Sequence, residues 1–120
     1  MAEKLVFMVT HGPDDPERAT IPFVMGCAAL ASDVEAVLGF QADGVILTRK
    51  GEADHVEATP FPPLATLLDN FRELGGSLLV CSPCMQMRDI RPEDLVEGAE
   101  IVAAARFVAE ITSATNSLVY

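Results

Sequence analysis

The chain has 120 residues, half of them hydrophobic, and 18 acidic against 8 basic side chains give a formal net charge of -10; this is enough chain to bury one core without covalent staples. The acidic balance argues against binding to a nucleic-acid backbone or an anionic membrane surface, since both rest on clustered Lys and Arg. No run approaches the ~20 apolar residues that span a bilayer, and the opening MAEKLVFMVTHG reads as a strand rather than a signal peptide, so the expected location is cytoplasmic. There the three cysteines are expected to be reduced, and a close pair of thiols points to redox, catalytic or metal chemistry rather than to a staple.

Lys4 to Thr10 (KLVFMVT) is an apolar, β-branched run that predicts a strand covered on both faces. Asp14 to Arg18 is a polar loop with acids suited to a helix start. A helix is expected from about Ala19 to Ser32, with Phe23, Cys27, Leu30 and Ala31 on one face and Pro22 in its first turn. Asp33 to Phe40 (DVEAVLGF) and Gly44 to Thr48 (GVILT) read as the next two strands, joined by Gln41-Ala42-Asp43. Gly39 would weaken a strand unless something packs closely against it. The irregular segment Arg49 to Pro62 carries His55, expected to face solvent.

Leu64 to Leu74 predicts an amphipathic helix stopped by Gly75-Gly76. Ser77 to Cys81 is a strand, Met85 to Arg88 a short helix, and Arg91 to Asp94 opens a further turn. Glu100 to Val102 is a brief strand, Ala103 to Ala114 a helix, and Leu118 to Tyr120 a terminal strand. Strands alternating with helices at this spacing predict a single α/β domain over residues 1–120: three layers, with a mostly parallel central sheet of about five strands flanked by helices. In such sheets ligands bind beyond the carboxyl ends of the strands.

Two cysteines meet at one such end. Cys81 closes its strand, Pro83 restricts the turn, and Cys84 follows three residues on. Unpaired N–H groups and the positive end of a helix favour thiolate over thiol, which predicts a lowered pKa for Cys81. A second thiol at that spacing could resolve a disulfide or accept a sulfur atom. Zinc is not expected, because no second pair of ligands completes a tetrahedron, and no phosphate-binding loop or nucleotide fingerprint calls for a cofactor. Cys27 is expected in the core. His11 ends the first strand, where it either stabilises a thiolate or anion or satisfies loop backbone. Arg88 either pairs with Asp89 on the surface or helps to hold negative charge at the cysteines, while Met85 and Met87 read as core or interface filler.

Three segments, KLVFMVTHGPDDPERA at the start, LLVCSPCMQMRDI at the cysteines and EGAEIV with AAARFVAEI and LVY at the end, resemble the DsrE/DsrF-like family of small sulfur-relay proteins. The resemblance implies that Cys81 accepts sulfur as a persulfide, that Arg88 is the basic residue seven positions later, and that Cys84 is the second cysteine of members with two. Asp89 stands where the family usually has glycine. It also implies sulfur donor and acceptor proteins as partners, and self-assembly into homotrimers or homohexamers, in keeping with the apolar composition. Two other readings remain beside it: a dithiol oxidoreductase or peroxidase-like protein using the same pair, and a non-catalytic oligomeric binding module whose cysteines are core.

Overall fold

In the computed structural model, which describes residues 3–120 and so leaves Met1 and Ala2 of the opening stretch outside, the first apolar run forms strand β1 (Lys4–Val9). Asp15 caps the following helix α1 (Pro16–Ala31) through its side chain, which accepts from the Arg18 N–H, and Pro16 occupies the first turn. The helix thus starts three residues before the expected position. Pro22 falls in the second turn instead of the first, where it withholds one backbone hydrogen bond.

Strand β2 (Glu35–Phe40) runs parallel to β1 in the register Val9 to Phe40. The expected strand over Gly44–Thr48 does not form; Ala42–Thr48 is a 3-10 stretch in which Val45, Leu47 and Thr48 are buried. The physical reason is the link: three residues after β2 allow a hairpin, but a parallel neighbour needs a crossover of a dozen residues or more. A second 3-10 turn, Glu52–His55, holds the exposed His55.

Helix α2 (Leu64–Glu73) buries Leu64, Leu67, Leu68 and Phe71 and leads into β3 (Ser77–Cys81). Helix α3 (Ser82–Met87) begins directly at the strand's end, three residues earlier than expected. Strand β4 (Ala99–Val102), helix α4 (Ala104–Ser113) and strand β5 (Asn116–Val119) complete the chain.

The five strands lie in the order β4-β3-β2-β1-β5 and all are parallel. The chain moves one way across the sheet from β1 to β4 and then returns past β1 to β5. With right-handed crossovers, that reversal places α4 on the face opposite α1 and α2. Side chains alternate accordingly. Phe7, Val9, Leu38, Phe40, Leu78 and Val80 pack with Phe23 and Phe71 from α1 and α2, while Val6, Met8, Val37, Leu79 and Val102 pack with Phe107 of α4. Gly39 is where Phe107 approaches the sheet: a Cβ there would meet the Phe107 ring at 2.9 Å and the Met8 sulfur at 2.8 Å. The close packing that a mid-strand glycine requires is therefore present. Among the described residues no helix is long and apolar enough to cross a membrane.

Candidate functional site

The carboxyl ends of β1, β2 and β3 are brought level by the register Val9–Phe40–Val80, so that Thr10, Gln41 and Cys81 follow in one row. Beyond that row the chain after β2 folds back over the sheet. Two glycines permit this. A Cβ on Gly44 would fall 1.9 Å from the Val9 carbonyl oxygen, and one on Gly12 would fall 2.6 Å from that of Asp43. The segment Ala42–Gly44 is thereby pressed between the end of β1 and the start of α3, with Ala42 in the left-handed region at φ +50.

Cys81 serves as the N-cap residue of α3, and Cys84 sits one turn in. Both thiols are free and half-buried. Cys84 Sγ donates to Cys81 Sγ across 2.7 Å, and the Ala42 N–H donates to Cys84 Sγ at 3.4 Å. The pair is unbonded, and only a small movement separates it from the ~2.05 Å of a disulfide. Burial pushes the Cys81 thiol up, the side-chain hydrogen bond with Cys84 adds to this, and the Cys84 backbone N–H and Arg88 charge pull the other way. The lowered pKa expected from the strand-to-helix junction is thus reversed. Cys81 packs against the apolar clusters of both faces of the sheet, so desolvation of the charged form outweighs the Cys84 N–H and the Arg88 charge.

Arg88 does reach this site, but its partner is Asp43 and not the adjacent Asp89. Nε and one terminal nitrogen converge on Asp43 Oδ1 at 3.1 and 2.9 Å, and the other terminal nitrogen donates to the Cys84 carbonyl at 3.1 Å. Asp89 follows the helix in the left-handed conformation at φ +54, the position at which a helix commonly ends on glycine. Aspartate is among the side chains that tolerate it, which accounts for a non-glycine residue there.

His11 makes no hydrogen bond to the thiols among the described residues. It lies past the end of β1, two strands from β3, about 10 Å away at ordinary strand spacing, and its Nδ1 is 3.3 Å from the Thr10 hydroxyl. Cys27 packs against the core, its Sγ 3.5 Å from the Leu67 carbonyl, with burial raising its pKa. Met85 is buried and Met87 is 80% exposed. Asp43 and the Ala42 N–H are the site groups that the sequence does not announce. Their only signal is an acid followed by glycine just after a strand that neighbours the cysteine strand.

A cavity of about 430 Å³ lined by Arg72, Asp69 and Glu97, and another of about 470 Å³ beside Cys27 and Leu74, lie away from the paired thiols, toward the amino ends of β3 and β4 and between α1 and α2. Among the described residues no cluster of three or more His, Cys, Asp or Glu is placed to hold a metal.

The sequence model of the DsrE/DsrF-like family matches residues 3–120. The chain is 31% identical over 106 residues to the uncharacterised protein MJ0760 of Methanocaldococcus jannaschii, with 88% of this chain matched but only 38% of that protein, so it spans about two fifths of that relative's length. It is 27% identical to MJ0989 of the same organism, over 98% of this chain and 99% of that one. Among solved structures, the ychN protein of E. coli superposes with a TM-score of 0.83 at 18% identity, covering 98% of this chain and 99% of the other. MTH1491 of Methanobacterium thermoautotrophicum, a protein of unknown function, gives 0.78 at 16%, with the same coverage. These structural likenesses extend to the fold.

Proposed function

The chain belongs to the DsrE/DsrF-like family, and from that premise and its paired thiols we propose that it is a small cytoplasmic sulfur carrier that holds sulfane sulfur as a persulfide on Cys81 and passes it to a partner protein. The observation that carries this reading is the 2.7 Å approach of Cys84 Sγ to Cys81 Sγ at the carboxyl end of β3. In the loading step the Cys81 thiolate attacks the outer sulfur of a donor persulfide, R–S–SH. The donor S–S bond breaks, R–S⁻ departs and takes up a proton, and Cys81 retains the outer sulfur as S–SH.

Two routes lead out of that state. An acceptor thiolate can attack the outer sulfur and return Cys81 as thiolate. Alternatively, the Cys84 thiolate attacks Cys81 Sγ, expels HS⁻ and leaves a Cys81–Cys84 disulfide, which an external dithiol must reduce. In this reading Arg88 supplies positive charge beside these anions, and His11, past the end of β1 at the same edge of the sheet, is assigned to binding an anionic donor or acceptor group. Exposed Val108 and Val119, 59% and 72% accessible, with Ile101 and Ile111 partly so, support self-assembly into trimers or hexamers. Sedimentation equilibrium would then give a mass three or six times 12.8 kDa.

Incubation with a low-molecular-weight persulfide followed by intact mass measurement tests the carrier reading. A gain of one sulfur atom, abolished by Cys81→Ser, is expected; no gain, or a gain that survives the substitution, overturns it. The same S···S approach favours a second reading, a dithiol oxidoreductase. That reading requires a reversible Cys81–Cys84 disulfide, reducible by a thioredoxin-type dithiol, with no sulfur gained.

A further inference from the structure

The Arg88 guanidinium is near enough to the thiols for its charge to bear on Cys81, but its hydrogen bonds go elsewhere. Three of its nitrogens are engaged, two by Asp43 Oδ1 and one by the Cys84 carbonyl. Its side chain is 24% exposed and that of Asp43 47%, so the pair is open to solvent on one side. The segment that presents Asp43 is fixed independently of Arg88. Gly12 and Gly44 seat it against the end of β1 with no room for a Cβ, the Gly44 N–H donates to the Gln41 carbonyl at 2.9 Å, and the Ala42 N–H holds Cys84 Sγ. A carboxylate on a fixed segment captures a mobile guanidinium more effectively than the reverse, since only one side chain then has to be ordered.

We propose that Asp43 is a positioning residue of this site: it holds the Arg88 guanidinium against the Ala42–Thr48 segment and off the two thiols, and thereby restrains their reactivity in the unloaded protein. The charged and titratable groups that bear on Cys81 are Cys84 from α3 and Arg88 at its C-cap, and Asp43 faces Arg88 from the segment after β2. Asp43 therefore acts through Arg88. A freed guanidinium can swing toward the sulfur atoms and favour their thiolate forms. This inference rests on the thiol pair being the reactive site, as in the carrier reading, but it does not require persulfide chemistry.

The experiment is alkylation by iodoacetamide near pH 8, with rates at Cys81 and Cys84 assigned by peptide mass, in the full chain and in Asp43→Asn, Arg88→Gln and the double variant. The aspartate-to-asparagine exchange keeps the shape of the segment and removes the charge that holds Arg88. It is expected to speed alkylation of the pair by about threefold, the factor that corresponds to half a pKa unit, whereas Arg88→Gln slows it. In the Arg88→Gln background, Asp43→Asn is expected to change the rate by less than about 1.5-fold. The proposal is overturned if Asp43→Asn leaves the rate unchanged or lowers it, or if its effect is as large without Arg88 as with it. Alkylation of Cys27 in the same samples reports any general loosening of the fold; acceleration there equal to that at the pair also overturns the proposal. Failure to load sulfur would leave these rates untouched, so the two readings fail separately.

Discussion

Gly44→Ala offers the sharpest test of how the site is built. The added Cβ would lie 1.9 Å from the Val9 carbonyl oxygen and 2.7 Å from its carbon, where real Cβ contacts do not fall under 3.0 Å, so the segment has to withdraw by about 1.1 Å. Neither side yields readily. Val9 is locked in β1 by parallel pairing with β2, and the segment is anchored on its far side by Val45 and Leu47 in the core. Overpacking against backbone therefore costs about 3 kcal/mol, the upper part of the usual range. In a domain of this size that lowers Tm by about 10 °C. Gly51→Ala is the control, because it meets nothing within 4 Å and is strained only by φ +88, which costs about 1 kcal/mol. Denaturant unfolding of both variants, with equal m-values, gives the comparison. If Gly44→Ala loses no more stability than Gly51→Ala, the close seating of Ala42–Gly44 on β1 is refuted, and with it the placement of the Ala42 N–H on Cys84.

Because burial raises the Cys81 thiol, its alkylation rate should keep climbing through and above the ordinary cysteine value of about 8.5; a plateau below about pH 7 would contradict this. The sign for stability follows. The raised thiol stabilises the fold below the ordinary thiol value, and that contribution is lost as pH rises through the raised one. Glu110 behaves oppositely: Lys4 and Arg106 hold its carboxyl below the usual range, so its contribution is present above about pH 4.3 and lost as pH falls through the lowered value. Glu110→Gln should cost up to about 1 kcal/mol at neutral pH and nothing in strong acid, as read from urea midpoints at both. Leu47→Ala should cost about 2–5 kcal/mol despite lying outside every strand, since Leu47 is fully buried; a loss under about 1 kcal/mol would mean that the 3-10 stretch is not part of the core.

The architecture was legible because its strongest signals are local. KLVFMVT, the Leu64–Leu74 stripe and the Ser77–Cys81 run each declare a period or a boundary within their own residues, and each forms within a few positions of the expected span. GVILT misled because a five-residue apolar run carries no period that separates strand from any other buried segment. The contact that decides it, Gly44 on the Val9 carbonyl, joins residues 35 apart in sequence. The start of α1 is different in kind: Asp15-Pro16 is an N-cap followed by a first-turn proline, a complete local signal set in the polar run DDPER.

The site divides along the same line. Cys81 and Cys84 could be paired from sequence because three residues at a strand-to-helix junction fix their neighbourhood, and Arg88 caps the same short helix, four residues beyond Cys84. Asp43 could not, since it belongs to a different crossover and reaches Arg88 only because β2 and β3 are adjacent and end level. The expected sign of the thiol's shift failed for a related reason. A helix start is visible in sequence, but desolvation is a property of the assembled core, and Cys81 lies where the apolar clusters of both sheet faces meet. Against that burial stand only the Cys84 N–H and the Arg88 charge. Burial raises the Cys81 thiol, and the neighbouring Arg88 is paired with Asp43; both depend on packing between separate crossovers, which no local pattern of residues records.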